Sequence, residues 1–121
     1  MILIDSCGWI EFLVDGDNAG EYAKYFADIQ QIITPTIVIY EVYKKVLREI
    51  TEEAAIMVAA QMNKTVVVDL SEHLSLLAAT LSLKHNLPMA DAIVYAAAKY
   101  FDCQVVTSDK HFRGLDHVIF I

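Results

Sequence analysis

Met1-Ile2-Leu3-Ile4-Asp5 is an apolar run stopped by a carboxylate, and Val105-Val106-Thr107-Ser108-Asp109 repeats the pattern near the other end of the chain. Neither run alternates apolar with polar residues. A strand that is apolar throughout is covered on both faces, which is the habit of parallel sheets flanked by helices. Between the two runs, Ile32-Ile33 and Thr65 to Val68 read as further short strands, and Val118 to Ile121 as a last one. The β-branched content of Thr65 to Val68 supports that reading.

The segments between the strands carry helical signals. Cys7 to Leu13 reads as a short helix closed by Asp15-Gly16-Asp17, and Asn18 to Ala27 has helical spacing with Tyr22, Tyr25 and Phe26 on one side. Thr34-Pro35 has the form of a helix start, with Thr as the cap and Pro in the first turn, followed by a helix from Thr36 to Glu49. Thr51 caps the next helix, through Asn63. Ser71 to His85 is amphipathic with Asn86 as its C-terminal cap, and Pro88 opens a helix to Phe101. Strands alternating with helices predict a three-layer α/β/α sandwich around a parallel sheet of about five strands. The 121 residues contain no linker, repeat or low-complexity tract and fit a single domain over 1–121.

Hydrophobic residues make up 56% of the chain, above the usual share. The longest unbroken apolar runs, Ala54 to Ala60 and Ala92 to Ala98, fall far short of the about 20 residues that cross a bilayer. The excess therefore predicts a subunit or partner interface rather than a membrane span. No basic leader or small-residue cleavage site is visible at the N-terminus. Cys7 and Cys103 form no disulfide framework or zinc pattern, so a reducing cytoplasm is the expected compartment. His73, His85, His111 and His117 show no metal-ligand spacing.

Four acids border or interrupt apolar segments: Asp5, Glu41, Asp91 and Asp109. In a parallel sheet, ligands bind beyond the carboxyl ends of the strands where strand order reverses. Asp5 and Asp109 follow strands, Asp91 falls in a first helical turn, and Glu41 projects from the helix after the second strand. All four can reach one crevice. Each also has a local reading: Asp5 as a helix cap, Asp91 as a dipole partner, Asp109 as a turn residue, Glu41 as the i+4 partner of Lys45. Clustered buried carboxylates repel unless a cation stands between them, so convergence implies a divalent metal and metal-assisted hydrolysis. Asp5, Asp91 and Asp109 are the expected metal ligands, with Glu41 completing the site. Ser6 and Thr107 are placed to support it or to cap locally.

A net charge of −7 ordinarily argues against nucleic acid. The objection weakens if the four acids hold metal. Lys44, Lys45 and Arg48 cluster on or near the helical face of Glu41, while Lys110 and Arg113 flank His111. These five are the candidates for a phosphate approach, against the alternative of a solvated charged face.

The segments Leu3-Ile4-Asp5-Ser6, Tyr40-Glu41-Val42, Leu87-Pro88-Met89-Ala90-Asp91-Ala92-Ile93 and Val106-Thr107-Ser108-Asp109-Lys110-His111-Phe112 stand in an order that resembles the PIN domain, and within it the VapC-type toxins of prokaryotic toxin–antitoxin pairs. The resemblance implies a Mg²⁺- or Mn²⁺-dependent ribonuclease whose acidic quartet is Asp5, Glu41, Asp91 and Asp109, with Ser6 and Thr107 as supporting hydroxyls. It also implies a homodimer held inactive by an antitoxin that inserts into the active-site groove. The chain departs from the pattern at His111, where many members carry a further acid, and at Cys7, where a small polar residue is common. Two other functions compete. A Mg²⁺-dependent phosphatase would use Asp5 as nucleophile but lacks the partner acid at position 7. A non-catalytic PIN-like module for binding RNA or protein would have no need of four acids.

Overall fold

Alternate residues of a strand point to opposite faces of its sheet, and here both sets are buried. Leu3 and Ile4 are fully enclosed, as are Val105 and Val106. Helices therefore lie on both faces, and the computed structural model, which describes residues 1–121, is a three-layer α/β/α sandwich. Its strands are β1 (Ile2–Ile4), β2 (Ile32–Pro35), β3 (Val66–Val68), β4 (Gln104–Thr107) and β5 (Val118–Phe120). They form one sheet in the order β3-β2-β1-β4-β5, with every pairing parallel. The chain steps outward from β1 through β2 to β3, then returns to the other side of β1 with β4. The order thus reverses between β1 and β4, where Ile4 lies beside Val106.

Six helices connect the strands: α1 (Ser6–Leu13), α2 (Ala19–Ala23), α3 (Thr36–Glu49), α4 (Glu52–Met62), α5 (Glu72–His85) and α6 (Met89–Tyr100). Their ends follow local chemistry. The Thr51 hydroxyl accepts from the Ala54 amide at 3.0 Å to start α4, and Ser71 caps α5 through Leu74 at 3.1 Å. Asn86 closes α5 in the left-handed region at φ 54°. Every residue of α6 from Asp91 to Ala98 is buried, which the run of small side chains permits. No helix is long and apolar enough to cross a membrane.

Two expectations fail locally. Thr34-Pro35 does not start α3 as cap and first-turn residue; both belong to β2, and Pro35 itself is the extended residue before the helix. Thr34 pairs with Val67 of β3 and its hydroxyl lies 2.6 Å from that of Thr65, which in turn donates to the Met62 carbonyl. The ladder claims the residue that local propensity assigns to a cap. Asn18 to Ala27 is likewise not one helix. Asn18 makes no side-chain cap bond, α2 ends at Ala23, and Lys24–Phe26 tightens into a 3₁₀ turn. The turn sets Phe26 against Trp9 and stacks it on Phe12, with ring centroids 4.8 and 4.5 Å apart.

Gly8 is where α1 comes closest to its neighbours. A Cβ there would sit 2.5 Å from the Tyr22 ring and 2.7 Å from Ile4. Alanine gains about 1 kcal/mol over glycine inside a helix, but overpacking of this kind costs about 1–3 kcal/mol, and both neighbours are fully buried. Gly8→Ala is expected to lower stability by a net of up to ~2 kcal/mol in urea unfolding.

Candidate metal centre

Because β1 and β4 are neighbours, Asp5 and Asp109 leave the sheet on the same rim. The Asp5 amide continues the ladder to the Val106 carbonyl at 3.1 Å. Its carboxylate then turns inward and is only 2% exposed. One oxygen accepts from the Ser6 amide at 2.8 Å, which also caps α1. The other accepts from the Thr107 hydroxyl at 2.9 Å. The same hydroxyl accepts from the Asp109 amide at 3.0 Å. Thr107 thereby ties both strand ends together, and it is wholly buried.

Behind this pair lies a set of polar side chains. The Tyr22 phenol and Ser108 hydroxyl are 2.8 Å apart, and the Cys7 thiol lies 3.3 Å from the Thr107 hydroxyl. Burial keeps Tyr22 protonated. Tyr22 and Thr107 brace the rim from within, while Cys7 also lines the groove beside it. No local sequence signal links Tyr22 to Ser108, which lie on α2 and past β4.

Asp109 begins a 3₁₀ turn, Lys110–Phe112, whose last side chain is fully buried. The Asp109 carboxylate accepts from the His111 amide at 2.9 Å. The turn aims His111 back across the rim, so that its Nδ1 lies 2.8 Å from Asp109 Oδ1 and 3.1 Å from Asp91 Oδ2. Asp91, from the first turn of α6, Asp109 and His111 thus present donor atoms within 4.8 Å of one another. Sequence spacing assigns no histidine to the site. The signal was its place two residues after Asp109, on a turn that neither strand nor helix periodicity describes.

Asp5 and Glu41 do not join that tightest set, but they share its field. Burial raises the pKa of Asp5, and Asp109 adds to the effect against the lowering bonds from Ser6 and Thr107. Burial likewise raises Glu41, followed by repulsion from Asp5, with the Ser6 hydroxyl opposing. Asp91 is pushed up to about 7, by burial first and then by Asp109 and Asp5, with His111 opposing. Burial first, and then mutual repulsion, disfavours the charged form of all three carboxylates, and a nearby cation would relieve both. Carboxylate oxygens with one imidazole suit a small divalent cation, so the residues fit a metal.

Beside the acids runs a groove of about 300 Å³ lined by Ser6, Cys7, Glu41, Lys44, Lys45 and Arg48, among others. The basic cluster therefore faces the same opening as Glu41. Arg48 also pairs with Glu49 at 2.8 Å, and Lys44 lies 3.3 Å from the Tyr40 hydroxyl. Lys110 and Arg113 are exposed but do not line this groove. Arg113 instead rests on the Phe120 ring, 4.7 Å from its centroid.

No curated protein sequence matches the chain significantly. Among solved structures, a toxin–antitoxin complex from Klebsiella pneumoniae superposes with a TM-score of 0.81 at 21% identity, covering 98% of this chain and 96% of that one. The sarcin-ricin-loop-cleaving toxin VapC20 of Mycobacterium tuberculosis gives 0.79 at 17% identity over 98% of both chains. VapBC2 of Rickettsia felis, bound to a promoter DNA fragment, gives 0.76 at 15% identity over 100% of this chain and 98% of that one. These likenesses establish the shared fold. The PIN domain model matches residues 2–118. With nearly the whole sequence matched and the acidic rim at the strand reversal, the chain belongs to the PIN domain family.

Proposed function

We propose that this protein is a divalent-metal-dependent endoribonuclease acting as the toxin of a toxin–antitoxin pair. The observation that carries the reading is the rim at the strand reversal: Asp5 and Asp109 follow the neighbouring strands β1 and β4, and the His111 ring lies 2.8 Å from Asp109 and 3.1 Å from Asp91. Asp5, Asp91 and Asp109 would hold Mg²⁺ or Mn²⁺. Such an ion supplies charge neutralisation and Lewis-acid polarisation to phosphodiester hydrolysis. Glu41, which lines the groove half-buried, would complete the site or orient the attacking water. Ser6 and Thr107 keep the Asp5 carboxylate in one orientation. Lys44, Lys45 and Arg48 would answer the negative charge of the incoming backbone, while Lys110 and Arg113, outside that groove, would act only on a longer RNA.

The relatives support both the substrate and the partner. One structural neighbour is named for cleaving the sarcin-ricin loop, another is a toxin–antitoxin complex, and a third is a toxin–antitoxin pair on promoter DNA. An antitoxin and a second copy of the chain both require apolar surface. The chain exposes Met57, Leu76, Leu83 and Met89, all more than half accessible. An apolar groove of about 500 Å³ is lined by Trp9, Phe12, Phe26 and Met57, among others.

The test is cleavage of a defined RNA panel by purified protein with Mg²⁺ or Mn²⁺ and with chelator. Cleavage that requires metal and stops on chelation is expected; undiminished cleavage in chelator would contradict the reading. Replacing Lys44, Lys45 and Arg48 by alanine should weaken RNA binding across sequences. It should also flatten the salt dependence by about one unit of slope for each phosphate that is no longer neutralised.

A further inference from the structure

The tightest donor set of the rim contains a nitrogen. We infer that His111 is a direct metal ligand through Nδ1, and that this donor tilts the centre from Mg²⁺ toward Mn²⁺. The inference rests on the metal-dependent reading above and goes beyond it, because that reading assigns the metal to carboxylates alone.

Geometry carries the argument. Donors on adjacent corners of an octahedron with bonds of about 2.1 Å are about 3 Å apart. Nδ1 of His111 lies 2.8 Å from Asp109 Oδ1 and 3.1 Å from Asp91 Oδ2. Both distances match such edges, and all three donors fall within 4.8 Å. The ring is 54% exposed, but the backbone that carries it is held in place. Its backbone amide is bound to Asp109 Oδ1, and the next residue, Phe112, is fully buried with its amide on the Asp109 carbonyl at 3.1 Å. The turn that presents Asp109 therefore presents His111 as well. His73, His85 and His117 are absent from the cluster, so one imidazole alone serves it.

Chemistry gives the consequence. Mg²⁺ is hard, keeps oxygen ligands and water, and gains little from imidazole. First-row transition cations accept imidazole nitrogen readily, and a neutral ring in place of a carboxylate removes one negative charge that Mg²⁺ would favour. A centre of Asp91, Asp109 and His111 should therefore separate the two ions more sharply than an all-carboxylate one.

The experiment measures binding rather than turnover. Mn²⁺ and Mg²⁺ are titrated separately by calorimetry into the full chain, into His111→Asp and into His111→Ala, with circular dichroism to verify folding. Pulsed EPR on the Mn²⁺-loaded proteins reads nitrogen coupling to the ion. The expected result is a ¹⁴N coupling in the wild type that is lost in both variants. His111→Ala should weaken Mn²⁺ by roughly tenfold or more, the scale that even ligand-orienting partners show, with a smaller change for Mg²⁺. His111→Asp should narrow the gap between the ions. Absence of His111-dependent coupling, an unchanged ratio of the two affinities, or tighter binding of both ions to His111→Ala would overturn the inference while leaving the metal centre standing. Failure of the wild type to bind either ion, or binding indifferent to Asp91→Asn and Asp109→Asn, would instead sink the metal-dependent reading and the inference with it.

Discussion

Asp5→Asn should reduce RNA cleavage by about 10³-fold and leave the metal-free fold as stable as before, or more so. The two outcomes come from one cause. Asp5 is 2% exposed at the end of β1, and its charged form is disfavoured there by burial and by Asp109. The amide is nearly the same size and carries no charge. Its oxygen can still accept from the Ser6 amide, and the Thr107 hydroxyl can reverse its role to accept from the new NH₂. Packing is preserved while a repelled charge is removed. The cost falls entirely on function, since a neutral amide is a poor ligand for a hard cation. Cleavage rates with metal and urea unfolding with chelator, on the same preparation, measure both sides. A folded Asp5→Asn protein that cuts RNA at the wild-type rate would exclude Asp5 from the site. A large loss of stability would mean that its role is structural capping of α1.

The second large effect is a reversal of the pH dependence of stability on adding metal. Asp91, Asp5 and Glu41 all have folded-state pKa values above their unfolded ones, Asp91 at about 7. For such groups the protonated form favours the fold. Their contribution is complete below the unfolded carboxylate pKa of about 4 and is lost as pH rises through the folded value. In chelator the protein should therefore be less stable at pH 8 than at pH 5. Asp116 shifts the other way, down to about 2, held by Tyr95 and Lys99, but its contribution is lost only under more acid conditions and does not enter this window. Divalent metal binds the ionised carboxylates, so its stabilisation grows over the same range in which the empty centre loses stability. Occupancy at a hundred times Kd adds about 2.7 kcal/mol. With excess Mn²⁺, pH 8 should become the more stable condition. Thermal unfolding at the two pH values, with chelator and with Mn²⁺, reads all four states; identical pH trends with and without the ion would count against a shared cation.

Much of the fold is legible in the order of residues alone. The fully apolar runs ending in Asp5 and Asp109 announce buried parallel strands, and Thr51 and Asn86 mark helix ends by chemistry that operates within a single turn. The sequence leaves the strand order open; the structure puts the reversal between β1 and β4, which places two acids on one rim. What is not legible depends on partners distant in sequence. Thr34 looks like a cap until β3 pairs beside it and Thr65 takes its hydroxyl. Tyr22 looks like simple core until Ser108 arrives from β4. His111 has no ligand spacing, because a 3₁₀ turn rather than a helix or strand aims it at Asp91. Arg113, two residues on, lies over the Phe120 ring instead.

One cation is expected at the strand reversal, shared by the carboxylates that follow β1 and β4 and by that of α6. A crystal of the wild-type protein grown with Mn²⁺ tests it most directly through the ion's anomalous scattering. A peak is expected on the rim between Asp5, Asp91 and Asp109, with at least two of those carboxylates bound to it directly. A well-ordered, Mn²⁺-saturated crystal with no peak there, or with the ion held elsewhere on the surface, would contradict it.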